Sequence, residues 1–182
     1  IPQDDKVRAY IKIENLNDET FINNNYIIFC TKKGIIKKTI VEAFSRPRTN
    51  GINAITIGEG DQLLEAKLTN GQNEIILANR GGRAIRFNES KVRPMGRTAT
   101  GVKAMTLDNA QDEIIGMLSA DPTSTSHSVF VVSEKGNGKR SPLEDYRITN
   151  RGGKGVKTIK NTEKTGKLVG ILWVSEFDDL MI

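Results

Sequence analysis

Apolar positions along this chain come in short runs, many with period-two alternation and many rich in β-branched residues. "VRAYIKI" (7–13), "YIIFCTK" (26–32), "IIKKTI" (35–40) and "GINAITI" (51–57) are the first four. Glycine, asparagine and aspartate punctuate the gaps between them. That combination predicts short strands joined by tight turns. No stretch of a dozen residues keeps the i, i+3, i+4 spacing of an amphipathic helix, so the chain reads as all-β.

The strand pattern repeats. "KKGIIKKTIVEAF" from Lys32, "RGGRAIRFNESKV" from Arg80 and "EKGNGKRSPLEDY" from Glu134 align on Gly34, Gly82 and Gly136. Four residues past each glycine stands a cation: Lys38, Arg86 and Arg140. Ten residues past it stands an apolar anchor: Phe44, Val92 and Tyr146. A basic loop follows each anchor, and each loop runs through Gly51, Gly101 or Gly155 into an alternating segment. A further strand then opens the next unit, at Asp5, Asp61, Asp112 and Gly166. The units are therefore about 5–60, 61–111, 112–165 and a partial 166–182. Four strands in roughly 50 residues is the size of one propeller blade. Propellers usually need about four to eight blades to close. The expected architecture is a propeller-like domain of four-stranded blades, incomplete at about three to four blades. The start at Ile1 and the apolar end "LMI" lead to the expectation of a piece of a longer protein.

Charge follows the same repeat. The chain carries 27 Lys+Arg against 22 Asp+Glu, a net charge of +5. Residues 32–48, 80–103 and 135–160 hold net charges of +5, +6 and +6, so the remainder is strongly acidic. Equivalent points of neighbouring blades lie along one rim. Three basic windows in phase therefore predict a cationic stripe suited to a long polyanion that curves around it. Duplex DNA fits: cations grip phosphates without reading sequence, and a curved surface bends the duplex. Aromatic residues are 5% of the chain and are not interleaved with the cations, which disfavours single-stranded nucleic acid.

Catalytic chemistry is not legible. "YRITNRGGKGVKTI" (146–159) looks like a phosphate-cradling loop, yet each Gly-Lys pair is followed by Arg140, Gly155 or Leu168 rather than the Ser or Thr of a P-loop. One histidine, His127, falls in the polar run "DPTSTSHS" and reads as an exposed loop residue. One cysteine, Cys30, falls in an apolar strand and reads as core. Those two make no metal cluster, and a lone cysteine fits a reducing compartment. Asp178 and Asp179 read as a turn and Trp173 as core. No catalytic residue, metal ligand or membrane span is expected.

The repeats "GIIKKTIVEAFSRPRTNGINAITIGEGDQLL", "GGRAIRFNESKVRPMGRTATGVKAM" and "GNGKRSPLEDYRITNRGGKGV" resemble the C-terminal domain of bacterial gyrase A, the DNA-cleaving component of DNA gyrase, over essentially the whole chain. The resemblance implies a six-bladed β-pinwheel whose neighbouring blades exchange strands. It also implies binding and wrapping of duplex DNA around a basic perimeter, in support of ATP-dependent negative supercoiling. ATP and Mg would be used by other parts of the enzyme, and the DNA-cleaving tyrosine would lie outside this chain; no cofactor is expected here. Implied partners are double-stranded DNA, the rest of gyrase A, and gyrase B, in an A2B2 assembly in the bacterial cytoplasm at the nucleoid.

The family carries a seven-residue motif, Q-R-R-G-G-K-G, on which wrapping depends. "TNRGGKG" (149–155) matches it from Arg151 to Gly155, with Thr149 and Asn150 in place of the first two residues. It resembles the equivalent loop of a later blade. The resemblance marks Arg151 and Lys154 as phosphate contacts, and puts Arg46, Arg48, Arg93 and Arg97 on the same perimeter. With Lys37, Lys38, Arg83, Arg86, Lys139, Arg140 and Arg147 they form the expected DNA-binding set. Two other readings are the related C-terminal domain of topoisomerase IV and a propeller-type protein-interaction scaffold.

Overall fold

Hydrogen-bond pairing organises the strands into three antiparallel sheets. The structure is a computed structural model and describes residues 6–13 and 15–181. The first sheet contains β1 (Tyr26–Thr31), β2 (Ile35–Ile40), β3 (Leu63–Thr69) and β6 (Val102–Lys103), in the order β3-β1-β2-β6. The second contains β4 (Glu74–Asn79), β5 (Arg83–Asn88), β7 (Ile114–Ala120) and β10 (Val156–Lys157), in the order β10-β5-β4-β7. The third contains β8 (His127–Ser133), β9 (Gly138–Ser141) and β11 (Leu168–Ser175), in the order β11-β8-β9. The all-β expectation and the four-stranded sheet are both realised.

Each sheet begins as a hairpin: β1-β2, β4-β5 or β8-β9. Its turn holds Gly34, Gly82 or Gly136 at φ between +74° and +80°, a region that glycine enters without Cβ strain. The strand after the basic loop then pairs back onto the first hairpin strand. The segment from Asp61, read as opening the second unit, therefore completes the first sheet through β1-β3 pairing such as Ile28 with Lys67. The fourth strand comes from the following unit, so consecutive sheets are tied by exchanged backbone. At these crossings a Cβ on Gly101 would collide with the Ile36 carbonyl, and one on Gly155 with the Ala84 carbonyl.

Two predicted strands do not form. Residues 7–13 and 51–57 are not in strand conformation, and the segments after Gly101 and Gly155 shorten to two residues each. A strand needs a partner for its amides and carbonyls. The segment 102–103 finds β2 and 156–157 finds β5, whereas no described hairpin stands where residues 51–57 would need one. Alternation in sequence records which side chains are buried, not whether a ladder forms. Ala9, Ile11, Ile13, Ala54 and Ile55 still pack on the outer core of the first sheet.

Short helical turns escape the sequence pattern. A six-residue helix, α1 (Glu19–Asn24), starts where the Asp18 carboxylate accepts the Phe21 amide at 3.0 Å. A 3-10 turn follows the second strand of every hairpin, at Val41–Phe44, Glu89–Lys91 and Leu143–Asp145. Such turns are too brief to show a helical period.

The cores lie between sheets. Ile28, Cys30 and Ile36 of the first sheet meet Ile75, Leu77 and Phe87 of the second. The opposite faces of β4 and β5, with Ile76 and Ala84, meet Val129, Val131 and Ile171 of the third. Strand alternation lets β4 serve both cores. The strand β7 packs beside both β3 and β11, so neighbouring sheets meet along that edge. No described helix is long and apolar enough to cross a membrane.

Candidate nucleic-acid interface

The three in-phase strand cations meet different fates. Lys38 is 4% exposed. Its Nζ donates to the Glu89 carbonyl at 2.9 Å and lies 3.6 Å from the Glu89 carboxylate, across the seam between first and second sheets. Arg86 is 10% exposed at its side chain and sits 2.5 Å from the Glu74 carboxylate. Its Nη1 donates to the carbonyls of Leu143 and Tyr146 at 2.8 and 2.9 Å, across the next seam. Glu89 and Leu143 each begin a 3-10 turn, so both cations satisfy a carbonyl of the following unit at the same place. Arg140, the third member, is exposed on β9.

These facts correct the expected site. Lys38 and Arg86 are struts between sheets, because their charge is already paired and desolvated and offers no donor to a phosphate. Burial pulls the Lys38 ammonium below its ordinary range, and the Glu89 carboxylate opposes that pull. Lys37 is corrected likewise. It is fully buried, donates to the carbonyls of Ala54 and Arg97, and lies 5.5 Å from the Phe29 ring centre. Burial first, then the Arg97 charge, lowers its pKa to about 8.

The struts nevertheless place the loops that carry accessible charge. The carbonyl of Lys38 accepts the Met95 amide at 2.8 Å, and that of Arg86 accepts the Thr149 amide at 2.9 Å. Each holds a basic loop against the preceding sheet while the loop crosses the seam. The loop 92–101 then delivers β6 to β2, and the loop 146–155 delivers β10 to β5. Arg93 and Arg147 are exposed on these loops and Arg97 is half-buried. Arg46 and Arg48 are exposed on the loop of the first unit, and Lys139 is exposed beside Arg140. Lys103 and Lys157, the second residues of β6 and β10, are exposed at matching positions. They lie outside the expected set, although both fall in the basic windows and share one offset from Gly101 and Gly155.

The "RGGKG" loop is fastened to the second unit at nearly every residue. Arg151 donates through Nε to the Lys91 carbonyl at 3.0 Å and through Nη1 to the Lys103 carbonyl at 2.9 Å. The Gly152 amide donates to the Ala104 carbonyl at 2.6 Å, and the Gly153 carbonyl accepts the Thr106 amide at 2.9 Å. Lys154 lies 3.2 Å from Asp108, which also holds Arg83 at 3.0 Å. Arg83 and Lys154 thus share one carboxylate, and hydrogen bonding from Lys154 is the largest influence holding Asp108 below the usual carboxylate range. The motif that resembles a phosphate cradle is, in this structure, a clasp between units.

Residues read as non-catalytic occupy structural places. Cys30 is buried, and burial pushes its thiol far up. His127 is the first residue of β8 rather than part of a loop; its ring stacks on Trp173 at 5.5 Å, and its Nδ1 is 2.7 Å from Ser124 Oγ. Trp173 packs against the second core, and Asp178 accepts the Ser175 amide at 2.6 Å. Among the described residues, no group of three or more His, Cys, Asp or Glu comes together as a metal site.

Fold and seams together define a propeller-type repeat domain with a basic loop at each crossing. The DNA gyrase C-terminal domain family, a β-propeller, matches residues 25–70, 73–121 and 127–175, and the chain belongs to that family. It is 42% identical over all 182 residues to the gyrase A protein of Staphylococcus aureus (strain NCTC 8325 / PS 47), of which it spans 20%. Among solved structures it is similar to the C-terminal domain of DNA topoisomerase IV, with 29% identity and a TM-score of 0.79 over 88% of this chain and 49% of that one. It is also similar to a DNA gyrase A C-terminal domain, with 26% identity and a TM-score of 0.73 over 86% and 51%.

Proposed function

We propose that this chain is a non-catalytic DNA-binding segment of a type IIA topoisomerase, which holds duplex DNA along its loop-bearing rim and bends it. In the intact enzyme this would wrap DNA and support ATP-dependent negative supercoiling, within an A2B2 assembly of gyrase A and gyrase B in the bacterial cytoplasm. Membership of the gyrase domain family supports the DNA-binding role. The observation that carries the reading is the recurrence of exposed arginines on the loop that follows each 3-10 turn: Arg46 and Arg48, Arg93, and Arg147. Such cations neutralise phosphates without contacting base edges, which suits bending of any sequence.

The test is a titration with a 40-base-pair duplex across a salt series. With Lys37 and Lys38 buried, Arg86 paired with Glu74, and Arg83, Arg151 and Lys154 engaged at the second seam, seven of the expected cations remain. With about five to seven phosphates neutralised, the slope of log K against log salt should be roughly −4 to −6. Sealing a nicked plasmid in the presence of the chain and reading its linking number tests the wrap separately. A flat salt response would remove the DNA reading; binding without a linking change would remove wrapping alone. The likeness to the topoisomerase IV domain favours a second reading, the equivalent segment of that enzyme. A linking change of positive sign supports gyrase, because strand passage inverts a trapped positive crossing into a negative one, and no change supports topoisomerase IV.

A further inference from the structure

Three positions break the repeat, and they meet at one point. Arg83 follows its turn glycine, where the other units have Ile35 and Asn137. Lys154 precedes its loop glycine, where the others have Asn50 and Thr100. Asp108 stands seven residues past Gly101, where the others have Gly58 and Thr162. The corresponding corner of the first seam is therefore uncharged. At the second seam, Asp108 offers one carboxylate oxygen to each cation: Oδ2 to Arg83 Nε at 3.0 Å and Oδ1 to Lys154 Nζ at 3.2 Å. Two oxygens on one centre, each taking one cation, is also how a phosphate would sit there.

The three side chains are open to solvent, with exposures of 27% for Arg83, 33% for Asp108 and 59% for Lys154. The seam does not depend on this carboxylate, because Arg151, Gly152 and Thr106 already stitch it through backbone groups. We propose that Asp108 is an internal counter-ion that stands in for a DNA phosphate between Arg83 and Lys154 and so lowers the grip of the second seam on duplex DNA. The inference rests on the DNA-binding reading above. With Asp108 ionised the cluster has a net charge of +1; without it, +2. Asp108 thereby grades affinity along the rim, leaving the second seam easier to release than its arginine and lysine content suggests.

The experiment compares the wild-type chain with Asp108→Asn and Asp108→Ser in the same duplex salt series, with thermal unfolding recorded for each. One further phosphate neutralised makes the slope steeper by about 0.9 and tightens binding about eightfold at 0.1 M salt. Adding Lys154→Gln to Asp108→Asn should return the slope to the wild-type value. Unchanged slopes in both Asp108 variants overturn the inference while leaving the DNA reading intact. Weaker binding together with lower Tm in both makes Asp108 a structural clamp and also overturns it. If neither the wild type nor any variant binds duplex with a salt dependence, the DNA reading falls and this inference with it.

Discussion

Arg86 and Arg140 occupy the same position of the same repeat, four residues past a turn glycine. One is enclosed between the second and third sheets, against Glu74 and two carbonyls of the next unit. The other is exposed on β9, whose free edge pairs with no described element, and within electrostatic reach of Asp178. What separates a strut from a rim charge is the presence of a following unit and not the residue or its local sequence. Lys38 makes the same point from the first seam, with a lysine instead of an arginine and Glu89 in the role of Glu74. The comparison divides the basic windows into an inner set that builds the seams and an outer set that is free to meet a polyanion.

The largest effect expected from that division is on stability. Arg86→Ala leaves Glu74 buried without its partner and should cost about 3–5 kcal/mol, read by urea or thermal unfolding. Arg140→Ala should stay within about 0.5 kcal/mol of wild type. Equal losses at the two sites would erase the distinction. A double replacement, Glu74→Met with Arg86→Met, sharpens it: the part of the loss that comes from the unpaired buried carboxylate should return, while the Leu143 and Tyr146 carbonyls stay without their donor and keep the variant below wild type.

A second effect appears with pH. Lys37 releases its proton at about 8 in the folded chain, against an ordinary value of 10.5. Between those values the unfolded chain binds more protons than the folded one, so this lysine makes stability rise with pH in that window and adds nothing further above 10.5. Wild-type stability should therefore gain on that of Lys37→Met from about pH 8 to 10.5, measured by urea unfolding at a series of pH values. A constant difference would mean that Lys37 is not desolvated by the two loops it joins.

Smaller changes should appear in DNA binding. Arg93→Ala, Arg140→Ala and Arg147→Ala should each make the salt slope shallower by about 0.9, with unfolding midpoints close to wild type. Lys38→Met should leave the slope near the wild-type value while lowering stability. The smallest signal is chemical. Cys30 lies in the core between the first two sheets with its thiol pushed up by burial, so a thiol reagent should label it only as fast as the sheets open. Lys38→Met, at the same seam, should speed that labelling.

Much of this architecture is legible in the chain because it depends on local chemistry. Gly34, Gly82 and Gly136 recur at one phase of the repeat and turn the chain at positive φ, and the run at 26–31 is too apolar to remain outside a core. The failures have one physical cause. Residues 7–13 and 51–57 alternate as well as any strand, yet a ladder needs a second chain segment at hydrogen-bonding distance, and alternation contains no information about who that is. Glu74 and Glu89 escape notice for a similar reason: a carboxylate in an apolar strand, or beside a turn, declares its partner only after the sheets stack.

The repeat of short strands, the places of the turns and the phase at which positive charge recurs are all written in the residues. Those are properties of residues and their spacing. Which cations face water follows from how the sheets stack. Lys37, Lys38 and Arg86 direct their charge to carbonyls and carboxylates of neighbouring segments, Arg83 and Lys154 share Asp108, and Arg46, Arg93, Arg140 and Arg147 remain exposed. A cation's availability depends on desolvation and on its nearest opposite charge, and both are set by segments that lie from 12 to 60 residues away in the chain.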